Sequence, residues 1–132
     1  LDAALRGDIS MDPLRWRVIT SGVNPHNSTM YTLYGNDSAV SYSRTSTERN
    51  YPPGSVLSLV TWRQLEDDRW SGALIPAKVK SVEFVEVRVS GGRPTYSYRE
   101  YEGSPLKEMK SLESAADERV AYLLSQRAAV MP

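Results

Sequence analysis

The stretch that decides the fold is residues 78–101, KVKSVEFVEVRVSGGRPTYSYREY. Its first half, Lys78 to Val89, is rich in β-branched residues and reads as a long strand. Gly91-Gly92 then supplies the positive φ angles of a two-residue hairpin turn. Thr95 to Tyr101 returns as the partner strand, and Pro94 suits the first position of that strand. The alternation slips within the first strand. Val82 and Phe84 share one parity, whereas Val85, Val87 and Val89 share the other, so a bulge near Phe84-Val85 is expected.

Other strands extend the sheet upstream. Val56 to Trp62 (VLSLVTW) carries apolar side chains at both parities, as a central, covered strand does. Trp16 to Ile19 and Met30 to Tyr34 read as short strands, separated by the turn-forming run VNPHNST at residues 23–29. Asn36 or Asp37 can cap a short helix through Ser38 to Arg44. Pro52-Pro53-Gly54 makes a turn. A further strand is expected over Trp70 to Ile75, stopped by Pro76. Ser104-Pro105 reads as a helix start, and Leu106, Met109, Leu112, Ala116, Val120, Leu123, Ala129 and Val130 then recur at helical spacing. The expected architecture is α+β: an antiparallel sheet of five or six strands with a long C-terminal helix, residues 104–130, packed on one face. Residues 1–12 are expected to be a loose lead-in to a single domain spanning 1–132.

Composition narrows the function classes. The 132 residues carry 16 basic and 16 acidic side chains, so no charge excess points to nucleic acid or an anionic membrane. No apolar run has the roughly 20 residues a spanning helix needs. With no cysteine, these residues form no disulfide, thiolate metal site or thioether to haem. The first residue is Leu1 rather than methionine, which a removed signal peptide or trimming would explain.

Catalytic constellations are sparse. His26 is the single histidine and lies beside Pro25 in a turn-forming loop. Alone it makes neither a zinc site nor a serine triad, but a haem needs no more than one axial histidine. Glu83 and Glu86 sit at odd spacing on a strand and so face opposite sides. Glu100 and Glu102 share a face. Solvent-facing edges are the simpler reading of all four. The tyrosines and tryptophans fall on or beside strands, where they fill cores or line a pocket for a flat ligand. Tyr34 and Trp62, on adjacent expected strands, are the candidate pocket walls, with His26 at its loop.

One segment carries a likeness. Residues 31–62, YTLYGNDSAVSYSRTSTERNYPPGSVLSLVTW, run from a strand ending in tyrosine and asparagine through an alanine-bearing short helix to a Pro-Pro-Gly turn and an apolar strand. This pattern, with the Trp16–Ile19 strand and the asparagine-rich loop of His26, resembles the cytochrome P-460 family. The resemblance implies an exported, sheet-rich, often dimeric domain of periplasmic type. Enzymatic members hold haem through a C-terminal Cys-x-x-Cys-His motif. Here residues 123–132 read LLSQRAAVMP, with neither cysteine nor histidine. The leading expectation is therefore a family-like domain without covalent haem that binds a small or flat apolar ligand or a protein partner. The alternative is a redox protein holding haem non-covalently through His26.

Overall fold

The computed structural model describes residues 5, 7, 9–46, 50–66 and 74–128. Six strands lie side by side in sequence order: β1 (Arg17–Asn24), β2 (Thr29–Gly35), β3 (Val56–Glu66), β4 (Leu74–Ser90), β5 (Arg93–Glu102) and β6 (Lys107–Met109). Every neighbouring pair is antiparallel. Helix α1 (Asp37–Thr45) connects β2 to β3, and α2 (Glu113–Ser125) follows β6. This is the α+β sheet that the strand pattern predicts.

Local chemistry fixes the corners. Gly91 and Gly92 adopt φ of 59° and 76° between the paired residues Ser90 and Arg93, the turn whose twist matches its flanking strands. At the start of α1, the Asn36 side-chain oxygen accepts from the backbone N–H groups of Ala39 and Val56 at 3.1 and 3.2 Å. Its amide donates to the Gly54 carbonyl at 2.9 Å. One side chain thus caps a helix and ties it to the turn that opens β3. Gly35 lets α1 approach the sheet: a Cβ there would meet Ile19 Cδ1 at 2.8 Å and Ala39 Cβ at 2.9 Å.

The sheet is covered on both faces, which gives two cores. On the first face Ile19, Leu33, Leu57, Leu59, Val85 and Val87 pack beneath Ala39 and Val40 of α1 and Val120, Leu123 and Leu124 of α2. On the second, Val56, Val60, Trp62, Val82, Phe84, Tyr101 and Leu106 pack together, with Leu5, Ile9, Met11 and Trp16 lying against them. The expected bulge at Phe84-Val85 is not there. The β4 register runs unbroken from Ser81 to Glu86 against both neighbours. Val82 and Phe84 face one core while Val85 and Val87 face the other, so the mixed parity needs no extra residue. The β3–β4 irregularities fall around Trp62 instead.

Two expectations about the strands and the C-terminal helix are corrected. Pro76 does not stop a strand. β4 begins at Leu74 and passes through Pro76, opposite Gln64 at the irregular stretch. Residues 70–73 lie outside the described residues. The C-terminal helix is short, 13 residues from Glu113 to Ser125, rather than 104–130. Ser104 and Pro105 lie in a turn, and Lys107–Met109 pairs with β5 at Glu100–Glu102. The supposed helical stripe is divided: Leu106 is fully buried in the second core, whereas Leu112 is 78% exposed. Ala129 and Val130 lie outside the described residues. No helix among the described residues is long and apolar enough to cross a membrane.

Candidate functional site

The first face changes character along its length. Where the two helices cover it, the buried inward residues of the sheet are Ile, Leu and Val. Further along β3, β4 and β5, the same parity presents Thr61, Ser81, Glu83, Glu100 and Glu102. Together with Arg119 and Tyr122 of α2, these line a cavity of about 400 Å³. Asn24 and Asn27 of the β1–β2 hairpin form part of its rim, and Lys80 supplies a second cation.

Glu83 sits at the floor and is 4% exposed. A buried carboxylate is costly unless its lone pairs are satisfied. Here Arg119 Nε donates to one oxygen at 2.7 Å and Nη2 to the other at 2.8 Å. The Tyr98 hydroxyl donates to the first oxygen at 2.5 Å. Burial, followed by this bond to Glu83, pushes the Tyr98 phenol well above its ordinary range, so it stays a protonated donor. The Arg119 guanidinium also lies 4.7 Å from the centre of the Tyr122 ring. The pair thus pins α2 to β4 at the border between apolar core and polar cavity.

Glu100 is the responsive group. Burial first, and then the neighbouring Glu102 and Glu83 carboxylates, raise its pKa, while a hydrogen bond from Ser111 Oγ at 3.2 Å opposes the rise. The cavity therefore offers a carboxyl that takes up a proton more readily than usual, two cations and several hydroxyls. That arrangement can bind and orient a small polar molecule. Among the described residues, no group of three or more His, Cys, Asp or Glu side chains is placed to hold a metal ion.

The three side chains singled out in the sequence are placed as follows. Trp62 is 7% exposed within the second core, and Tyr34 is half-buried against that same core, its phenol pKa raised by burial. His26 is exposed at the β1–β2 turn, where its backbone N–H donates to the Asn24 side chain at 3.1 Å. Tyr34 and Trp62 share one face. None of the three lines the polar cavity, although the turn of His26 adjoins its rim through Asn24 and Asn27. Glu83, Tyr98 and Arg119 escaped the sequence reading as a site. Two signals were present: Glu83 interrupts an apolar strand, and Arg119 is the one basic residue of α2.

On the far flank of α2, against β5, lies a second hollow of about 680 Å³ with a more apolar lining.

The model of the cytochrome P460 family matches residues 14–116, from the turn before β1 to the first turns of α2. The chain belongs to the cytochrome P460 family. No curated protein matches it. Haem, which this family implies, does not fit the polar cavity of this P460 domain. A porphyrin presents broad apolar faces and anionic propionates, and asks for an axial donor. The cavity sets Glu83, Glu100 and Glu102 around that space, and both Glu83 oxygens are already bound.

Proposed function

We propose that this cytochrome P460 domain is a haem-free binding module that takes a small polar molecule in the cavity on the first face of the sheet. The observation that carries the reading is the lining. Glu100, Glu102, Lys80, Thr61 and Ser81 converge on about 400 Å³ above a floor, Glu83, whose charge is already satisfied. Pockets of this kind fix a ligand by a few placed polar groups. The aromatic content alone points to a flat, apolar ligand. Trp62 packs in the second core and Tyr34 against it, and the polar lining of the cavity supports a polar ligand instead.

Glu100, Glu102 and Lys80 are the contacts in this reading, and Arg119 and Tyr98 are positioning residues that act through Glu83. The family likeness supports export and a homodimer as parts of the same reading. A second reading, haem held non-covalently through His26, has in its favour that the His26 turn stands beside the cavity rim. The acidic lining argues against it.

A thermal-shift screen with small polyols, amines and amino acids tests the proposal. A molecule that binds the folded state raises the melting temperature by mass action. Ser81→Leu, which fills the cavity from β4, is expected to abolish any such rise while preserving the circular dichroism spectrum. A screen without hits, or hits that Ser81→Leu leaves intact, would overturn it.

A further inference from the structure

The hollow on the other flank of α2 is separate from the polar cavity. The helix runs between them: Arg119 and Tyr122 turn to the cavity, whereas Glu113, Asp117, Ala121 and Leu124 turn to the groove. These four recur at the three- and four-residue spacing that puts side chains on one side of a helix. The opposite wall is β5. There Tyr96 and Tyr98, two residues apart, face the same side of the sheet. The groove measures about 680 Å³, within the range of small-molecule sites.

Its chemistry is mixed in a specific way. Val120 and Leu124 make the base apolar, and two phenol rings stand beside them. Glu113 and Asp117 stand on the rim, exposed, and neither forms an ion pair among the described residues. They lie at i and i+4, where like charges repel and destabilise the helix. A cation placed between them relieves that repulsion, and a ring beside it gains from the tyrosine faces.

We propose that this groove is a second ligand site and that it takes a planar aromatic cation, its ring against Tyr96 and Tyr98 and its charge between Glu113 and Asp117. The charge complementarity of the rim selects this class over neutral or anionic aromatics. The groove shares Tyr98 with the floor of the polar cavity through its bond to Glu83, whereas Tyr96, Glu113 and Asp117 belong to the groove alone.

Fluorescence titrations with acridine orange, a planar cation, and with the anion 1-anilinonaphthalene-8-sulfonate provide the test. Acridine orange is expected to bind saturably at one site and more tightly than the anionic dye. Glu113→Gln with Asp117→Asn should weaken it by about tenfold, the size expected of two partly exposed charge interactions. Ala121→Trp, at an exposed helix position, should fill the groove and abolish binding without changing the melting curve. Binding that survives Ala121→Trp, a wild-type preference for the anion, or no loss on neutralising the two carboxylates would each overturn the proposal. If Ala121→Trp disturbs folding, Tyr96→Ala, which removes a part-exposed ring from the β5 wall, serves in its place and should weaken binding.

Discussion

Arg119 of α2 grips both carboxylate oxygens of Glu83 on β4, at 2.7 and 2.8 Å, with Glu83 almost fully buried and Arg119 side-chain exposure at 40%. Removing one partner of such a pair leaves a charge with no compensation, which costs more than removing both. Arg119→Leu is therefore expected to lower unfolding free energy by about 2–3 kcal/mol, less than for a wholly buried pair because Arg119 keeps contact with water. Adding Glu83→Gln to Arg119→Leu should recover part of that loss. Urea denaturation of the two single variants and the double variant measures the coupling. A double variant as unstable as the sum of the singles would show that the two do not act as a pair.

Glu100 gives the fold a pH signature. Its folded-state pKa is raised by burial and by its acidic neighbours. The native state therefore holds a proton that the unfolded chain releases from the ordinary carboxylate range upward. Its contribution to stability is fully present below that range and is lost as pH rises through the raised value. Melting curves taken in steps upward from pH 4 should show this loss, and Glu100→Gln should flatten that part of the profile. An unchanged profile in the variant would remove Glu100 as the source.

Gly35 tests the seating of α1. The space for a side chain there is already taken: a Cβ would lie 2.8 Å from Ile19 and 2.9 Å from Ala39. Gly35→Val should destabilise the domain by about 1–3 kcal/mol through overpacking. Its backbone is not in the left-handed region, so the cost comes from crowding rather than φ. A neutral effect in chemical denaturation would mean that α1 sits further from the sheet.

Much of this fold was legible because its decisive signals are local. The Gly91-Gly92 hairpin, the capped helix start at Asn36-Asp37 and the doubly apolar β3 each declare themselves within a few residues. The segment after Gly103 reads as helix because Leu106, Met109 and Leu112 fall at helical spacing by coincidence. Leu106 serves the second core, whereas Met109 and Leu112 are exposed. Residues 107–109 pair with β5 at Glu100–Glu102 instead, a tertiary feature that no local window contains. The candidate site was hidden for the same reason. Glu83 and Arg119 are 36 residues apart, and an isolated glutamate on a strand reads as solvent-facing until the helix above it is placed. The family likeness was legible from structural residues, which carry the fold but not the ligand.

Haem titration separates the two functional readings. Followed by absorbance, one equivalent of haem added to the domain is expected to give no saturable Soret shift, and His26→Ala should behave like the parent. A stoichiometric shift lost in His26→Ala would restore the haem reading and name the axial ligand.

The most direct test of the central claim is a map of where ligands bind. Backbone amide NMR spectra recorded during titration with small polar molecules should show shifts concentrated at Thr61, Ser81, Glu83, Glu100 and Glu102, with the second-core strand residues Val60 and Val82 moving less. Ser81→Leu should erase those shifts. Shifts centred on Tyr34, Trp62 and the His26 turn, or none at the cavity with any polar molecule, would contradict the account.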